Sequence, residues 1–225
     1  MTSAVIVAAG RGIRMKTDQD KLFLEVAGLP VVGHTWRKFD RHPEIDEIIM
    51  VIRDDARKQF EKLAGQLELT TPHSFTAGGH ERQDSVINGI STVQAGCDIV
   101  AIQDGARPCT SPATISKTIA VAREKGAAVA SCKITDTIKF ADDQNCITQN
   151  VDRTNLWAVQ TPQVFRLEII REAMAAVRAQ GVTVTDDTAA CELIGQPVVL
   201  VPSENQNPKV TTPADLPWVE LLLRQ

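Results

Sequence analysis

Three cations stand on or just beyond one short loop. Arg11 and Arg14 lie in the run Ala8-Ala9-Gly10-Arg11-Gly12-Ile13-Arg14, and Lys21 follows a few residues on. Glycine lets backbone N–H groups come close to an oxyanion, and nearby cations neutralise it. The chemistry on offer is phosphate binding, although a lone Gly-x-Gly also fits a structural turn with solvated charges. There is no Gly-Lys-Ser/Thr, so the loop is not a Walker A motif, and Met15 stands where a dinucleotide fingerprint wants its third glycine.

Asp104-Gly105-Ala106-Arg107-Pro108 is a second candidate. One carboxylate beside a phosphate site suits Mg²⁺, which keeps most of its waters and takes one or two carboxylates. An aspartate capping the next turn is the plainer alternative. Gly78-Gly79-His80-Glu81-Arg82-Gln83-Asp84-Ser85 is a third. Its glycines leave room for a flat base, and Ser85, with no His/Asp partner nearby, reads as a hydroxyl that bonds a base or caps a helix rather than as a nucleophile. Asp152-Arg153, Thr161-Pro162-Gln163, Thr185-Asp186-Asp187 and Lys209-Val210-Thr211 complete the polar set. Each is weak alone: Thr185 fits helix capping, and Lys209 fits a solvated surface charge.

The elements that must carry these residues alternate. Strands are expected over 3–9, 47–52, 73–76, 99–102 and 127–132, with helices over 31–41, 56–67, 81–93 and 112–125. That order predicts a mainly parallel sheet flanked by helices, with ligands at the C-terminal ends of the strands. The rhythm breaks over 134–151, where Asp142-Asp143-Gln144-Asn145 separates two short β-like pieces (137–140 and 146–149). This reads as a β-hairpin arm, about 134–153, on a single domain spanning 1–225; a projecting arm usually packs on a partner chain. Helices over 167–180 and 187–194, a strand over 197–201 and a final helix from Pro213 follow.

The 225 residues carry a net charge of −4, which gives no support for nucleic acid or an anionic membrane as partner. No apolar run reaches transmembrane length and no secretory signal is visible. Five widely spaced cysteines without a Cys-x-x-Cys point to reduced thiols and a cytoplasmic protein.

Taken in order, Ala-Ala-Gly-x-Gly-x-Arg-Met…Lys, Gly-Gly-x-Glu-Arg-x-Asp-Ser-Val, Asp-x-Ala-Arg-Pro, Asp-Thr-x-Lys, Val-Asp-Arg, Thr-Pro-Gln, Thr-Asp-Asp and Lys-Val-Thr-x-Pro-x-Asp-Leu form a specific series across about residues 3 to 223. The series closely resembles the 2-C-methyl-D-erythritol 4-phosphate cytidylyltransferases of the nonmevalonate isoprenoid pathway. The resemblance implies a Rossmann-like nucleotidyltransferase fold and a homodimer formed through the arm. It implies transition-state stabilisation by Arg14 and Lys21, and a CTP-binding loop at Ala8, Ala9, Gly10, Arg11 and Gly12. Gly79, His80, Ser85, Gly105 and Ala106 match the cytosine and ribose region. Asp104 matches the Mg²⁺- and acceptor-proximal aspartate, and Arg107 an arginine near the acceptor. Thr137 and Arg153 match arm residues that reach a neighbouring subunit's acceptor site. Thr161, Thr185 and Lys209 match the acceptor and phosphate pocket, with Arg153 and Lys209 positioning the attacking phosphate. Three positions depart from the pattern: Asp20 before Lys21, where proline is usual; His80, where an acid is common; and Pro208, where an aliphatic residue is usual.

Nucleotidyl transfer agrees with the residue types. An acceptor phosphate is already an anionic nucleophile, so no base is needed, and positioned cations stabilise the charge that builds at phosphorus. The competing readings are a ribitol- or other polyol-phosphate cytidylyltransferase, an NAD(P)-dependent oxidoreductase and a non-catalytic nucleotide binder. Met15 argues against the second, and the joint presence of Arg14, Lys21, Asp104 and Lys209 against the third.

Overall fold

Alternate residues of the buried strands feed two different cores. In β1 (Thr2–Val7), Ala4 and Ile6 face Trp36, Phe39 and Phe60, whereas Val5 faces Val86, Phe165 and Met174. In β4 (Glu47–Ile52), Ile48 and Met50 join the first cluster, and Ile49 and Val51 the second. A strand apolar on both faces must be covered on both faces, which is why helices flank this sheet on either side. The computed structural model describes residues 1–10 and 20–225.

The sheet has seven strands in the order β11 (Val199–Pro202), β7 (Ala127–Lys133), β10 (Trp157–Arg166), β6 (Ile99–Asp104), β1, β4 and β5 (His73–Ala77). One face is covered by α1 (Val31–Asp40), α2 (Arg57–Leu67) and α4 (Pro112–Lys125). The other is covered by α3 (Arg82–Ser91), α5 (Leu167–Gln180) and α6 (Asp187–Glu192). A smaller cluster gathers Val26, Val31, Cys109 and Val210 under α7 (Leu216–Leu223). Two short pairs stand apart: β2 (Glu25–Val26) with β3 (Leu29–Pro30), and β8 (Lys139–Ala141) with β9 (Ile147–Asn150). The second pair is the hairpin expected in 134–151, and every residue of its strands is exposed.

One strand was not foreseen. β10 runs antiparallel between β6 and β7, and is the single antiparallel member of the main sheet. Its sequence, Trp-Ala-Val-Gln-Thr-Pro-Gln-Val-Phe-Arg, hides it, because proline cannot donate to a ladder and argues against a central strand. The fold accommodates Pro162 by a register shift: pairing with β7 stops at Val159 and resumes at Gln163. The boundaries also move at the far end, where α6 stops at Glu192 and β11 begins at Val199.

Register then positions the site. Val7 pairs with Asp104 on one side and Val51 on the other, and Ile52 pairs with Ala77. The C-terminal ends of β6, β1, β4 and β5 therefore form one edge, with Asp104 as the last residue of β6.

Candidate active site

Backbone hydrogen bonds knit the loops that leave this edge. Gly105 N donates to Val7 O (2.9 Å), Ala8 N to Val51 O (2.8 Å) and Gly78 N to Ile52 O (2.8 Å). The result is a cavity of about 360 Å³ lined by Ala8, Ala9 and Gly10 from the first loop, Gly79, His80 and Ser85 from the second, and Gly105 and Ala106 from the third. Lys21, Asp104 and Lys209 line the same cavity, although the two lysines are 188 positions apart in sequence. Arg11, Gly12 and Arg14 lie outside the described residues.

Asp104 is the electrostatic centre. Lys209 Nζ stands 2.8 Å from its Oδ2, Arg107 Nε 3.8 Å from the same oxygen, and Arg82 Nε 3.4 Å from Oδ1. Burial works to raise the Asp104 pKa, but Arg82, Lys209 and Arg107 outweigh it and hold the carboxyl below its ordinary value of 3.8. Lys209 is thus an ion-paired wall of the cavity rather than a loose surface charge. Val210, next to it, ties two parts of the site together: its N–H donates to Ala106 O (2.8 Å) and its carbonyl accepts from Lys21 Nζ (3.1 Å).

Asp20 does not compete for Lys21. Its Oδ2 lies 2.8 Å from Arg53 Nη1, and its Oδ1 caps the following turn by accepting from Leu22 N (3.0 Å). The acid that precedes Lys21 is therefore neutralised from the end of β4.

The glycines separate into two kinds. A Cβ on Gly78 would stand 2.2 Å from Ala9 Cβ, and one on Gly79 2.1 Å from Asp84 Cβ. Both are demanded by the protein's own packing: Gly78 lies against the first loop, and Gly79 against the start of α3, where Glu81 and Asp84 form a capping box. Gly10 differs: among the described residues a Cβ there would meet nothing within 4 Å. Ser85 Oγ accepts from Gly79 N (3.0 Å) and donates to Glu81 O (3.2 Å), closing the second loop at the cavity wall.

Other expected residues sit around the cavity rather than on its wall. Thr161 is buried, and its Oγ1 accepts from Asp104 N (3.1 Å), so in this chain it braces Asp104 from behind. Arg107 Nη1 donates to Asn207 O (2.6 Å), and Asn207 Nδ2 donates to Thr161 O (2.8 Å), which anchors the segment leading to Lys209. Thr185 is exposed just before α6, whose cap is Asp186, Oδ1 accepting from Ala189 N (3.0 Å). Thr137 and Arg153 are exposed beside the hairpin strands.

Sequence reasoning missed Arg82 and Asp187. Arg82 lines the cavity and donates through Nη1 and Nη2 to Asp187 Oδ1 and Oδ2 (2.8 and 2.9 Å). Burial opposes its charge, but Asp187 and Asp104 raise its pKa further above the ordinary arginine value. Asp187 is fully buried, and burial lifts its carboxyl against the pull of Arg82. The two residues are 105 apart in sequence, so no spacing rule links them. The Glu-Arg-x-Asp-Ser and Thr-Asp-Asp motifs held the only signal.

No group of three or more His, Cys, Asp or Glu able to hold a metal occurs among the described residues. A divalent ion at this cavity would have Asp104 as its protein carboxylate and take its other ligands from phosphate and water, which is the manner of Mg²⁺. Among the described residues no helix is long and apolar enough to cross a membrane.

Comparison with known proteins agrees with this geometry. The family model described as IspD: 2-C-methyl-D-erythritol 4-phosphate cytidylyltransferase matches residues 2–225. The enzyme of that name from Caldanaerobacter subterraneus is 42% identical over 224 residues, covering 99% of both chains. Its counterpart from Geobacillus kaustophilus is 40% identical over 220 residues, covering 98% of this chain and 96% of that one. Among solved structures, a 4-diphosphocytidyl-2C-methyl-D-erythritol synthase from Anaerococcus prevotii superposes with a TM-score of 0.86 at 30% identity, covering 100% of this chain and 98% of that one. The Thermus thermophilus cytidylyltransferase gives a TM-score of 0.80 at 28% identity, covering both chains completely. The chain belongs to the 2-C-methyl-D-erythritol 4-phosphate cytidylyltransferase family.

Proposed function

We propose that this chain transfers the cytidylyl group of CTP to the phosphate of 2-C-methyl-D-erythritol 4-phosphate and releases pyrophosphate. The observation that carries the reading is the convergence of Lys21, Asp104 and Lys209 with the Ala8–Gly10 backbone around one cavity. An oxygen of the acceptor phosphate attacks the α-phosphorus of CTP. One P–O bond forms, the anhydride bond to the β-phosphate breaks, and pyrophosphate carries the charge away. The attacking group is anionic at neutral pH, so the transfer needs no general base. The barrier is charge, and fixed cations lower it most when they are already in place.

In this reading Lys21 faces the triphosphate and, with Arg14, stabilises the transition state. Lys209, steered by Asp104, meets the incoming phosphate, and holding the two phosphates in line contributes the orientation term. Gly10 leaves its backbone open to the phosphates. Ser85, Gly79 and His80 border the nucleoside, with Gly105 and Ala106 opposite. Mg²⁺ bound at Asp104 would supply further neutralisation of the triphosphate; a carboxylate on the wall fits that role. Thr137 and Arg153 serve the acceptor site of a second copy in a homodimer, a role supported by their exposure beside a hairpin whose Phe140 and Ile147 are 58% and 68% exposed. Free thiols at all five cysteines support a cytoplasmic setting.

The test is a pyrophosphate-release screen of the four nucleoside triphosphates against 2-C-methyl-D-erythritol 4-phosphate and ribitol 5-phosphate, with Mg²⁺. Release is expected only with CTP and the methylerythritol phosphate. Preference for ribitol phosphate, or for another triphosphate, overturns the reading.

A further inference from the structure

Arg82 and Asp187 form a strut that is buried at its Asp187 end and meets Asp104 at the other. The guanidinium makes both of its parallel N–H contacts to Asp187, at 2.8 and 2.9 Å, and its remaining edge turns Nε toward Asp104 Oδ1 at 3.4 Å. A fork held at two points has a fixed plane, so the third donor is aimed rather than free. Asp104 is then gripped from two sides, by Arg82 on Oδ1 and Lys209 on Oδ2.

Both ends of this strut are fastened to the same strand. Asp187 N donates to Gln163 Oε1 (3.0 Å), and Gln163 Nε2 donates to Asp186 Oδ2 (2.9 Å). Asp104 N donates to Thr161 Oγ1 (3.1 Å). Thr161 and Gln163 flank Pro162, where β10 breaks register with β7. The irregular segment thus holds Asp104 directly and Asp187 at the other end of the arginine.

We infer that Arg82 is a positioning residue for Asp104 in the nucleotidyl transfer proposed above, and that Asp187, which is wholly buried and away from the cavity wall, acts through Arg82. The inference rests on that functional reading. Its consequence is that the pair serves turnover rather than stability. Asp187 sets the plane of Arg82, Arg82 sets the rotation of the Asp104 carboxylate, and that rotation sets where the Lys209 ammonium meets the attacking phosphate. Misplacement by about 1 Å far from the chemistry is enough to cost on the order of 10²-fold in rate.

The test compares three proteins with wild type: Asp187→Asn, Arg82→Lys and the double variant Arg82→Met/Asp187→Leu. Breaking one member of a buried pair destabilises, whereas replacing both with apolar groups of similar size commonly does not. Melting temperature, KM for CTP and kcat per folded molecule are read for each. The expected result is a double variant that melts near wild type, keeps its KM for CTP within about threefold and loses roughly 10- to 100-fold in kcat. Arg82→Lys should fail to rescue, because an ammonium cannot make the parallel contacts and reach Asp104 as well. Wild-type kcat in the double variant, or in Arg82→Lys, overturns the inference and leaves the pair a packing element. Should the double variant melt far below wild type, Asp187→Asn decides by the same split, with a kcat loss at unchanged CTP KM upholding the strut and unchanged kcat refuting it. Failure of the wild-type protein to release pyrophosphate would instead strike the functional reading itself.

Discussion

The wall around Asp104 and the hairpin bearing Phe140 and Ile147 are opposites. Asp104 is buried, has three cationic neighbours within 4 Å, and is braced from β10 through its own backbone. The hairpin is exposed throughout its strands and keeps itself in shape with local contacts, such as Lys139 Nζ donating to Asn150 Oδ1 (2.7 Å) and Asp142 Oδ1 accepting from Gln144 and Cys146 N–H groups (3.0 and 2.8 Å). One region is placed by the fold of this chain. The other shows water two large apolar side chains that a second surface would cover. A site residue on the wall is preorganised; in the proposed homodimer, one beside the hairpin would gain its position on assembly.

Five experiments break or sharpen that contrast. The largest effect is expected at the wall: Lys21→Ala should lower kcat by roughly 10²–10³-fold, as losing one preorganised donor does, and steady-state pyrophosphate release at saturating CTP measures it. Wild-type turnover would remove Lys21 from the transition state.

The two kinds of glycine come next. Gly78→Ala forces a methyl into Ala9 and should cost about 1–3 kcal/mol in urea unfolding. Gly10→Ala meets nothing within 4 Å among the described residues, so its stability should stay within about 0.5 kcal/mol of wild type while the KM for CTP rises. Equal destabilisation by both would mean that the first loop is packed as tightly as the second.

Asp104→Asn should cost about 1–3 kcal/mol at neutral pH through lost charged hydrogen bonds. The sign with pH follows from its lowered pKa. Asp104 contributes stability that is present above the ordinary 3.8 and lost as pH falls through the depressed folded value. The gap between wild type and variant should therefore be widest near neutrality and close below about pH 4, as read by thermal melts across pH. A gap that does not narrow in acid would contradict ionisation of Asp104 in the folded protein.

On the hairpin side, Arg153→Ala should leave the melting temperature unchanged and raise the acceptor KM roughly tenfold, the effect of losing one charged contact of about 1.5 kcal/mol. The KM for CTP should not move. The smallest effect on the chain's own stability, within about 0.5 kcal/mol, is expected for Ile147→Ser. Light scattering should show a weaker dimer, and activity should become dependent on protein concentration. A fully active monomer would mean that each chain completes its own acceptor site.

Much of this was legible in the residues. Short continuous apolar runs marked β1, β4 and β6, and β1, β5 and β6 end where the Gly10, Gly78 and Gly105 loops begin. The polar interruption at Asp142–Asn145 marked the hairpin. β10 was not legible, because its pairing energy comes from two neighbours distant in sequence, while its own text carries a proline mid-strand and polar residues at Gln160, Thr161 and Gln163. Arg82 was legible only as part of a motif; its reason for being there is Asp187.

Local chemistry is written in the chain: which segments are buried on two faces, which loops can approach a phosphate, which side chains carry charge, and which family shares that series. Hydrophobic periodicity and side-chain type are properties of short stretches, so they survive without a fold. The tertiary structure alone decided the rest. It set Lys209 against Asp104, gave Asp20 to Arg53 and assigned Gly78 to packing. Each is a contact between distant segments, and only strand register and burial in a common core set those distances.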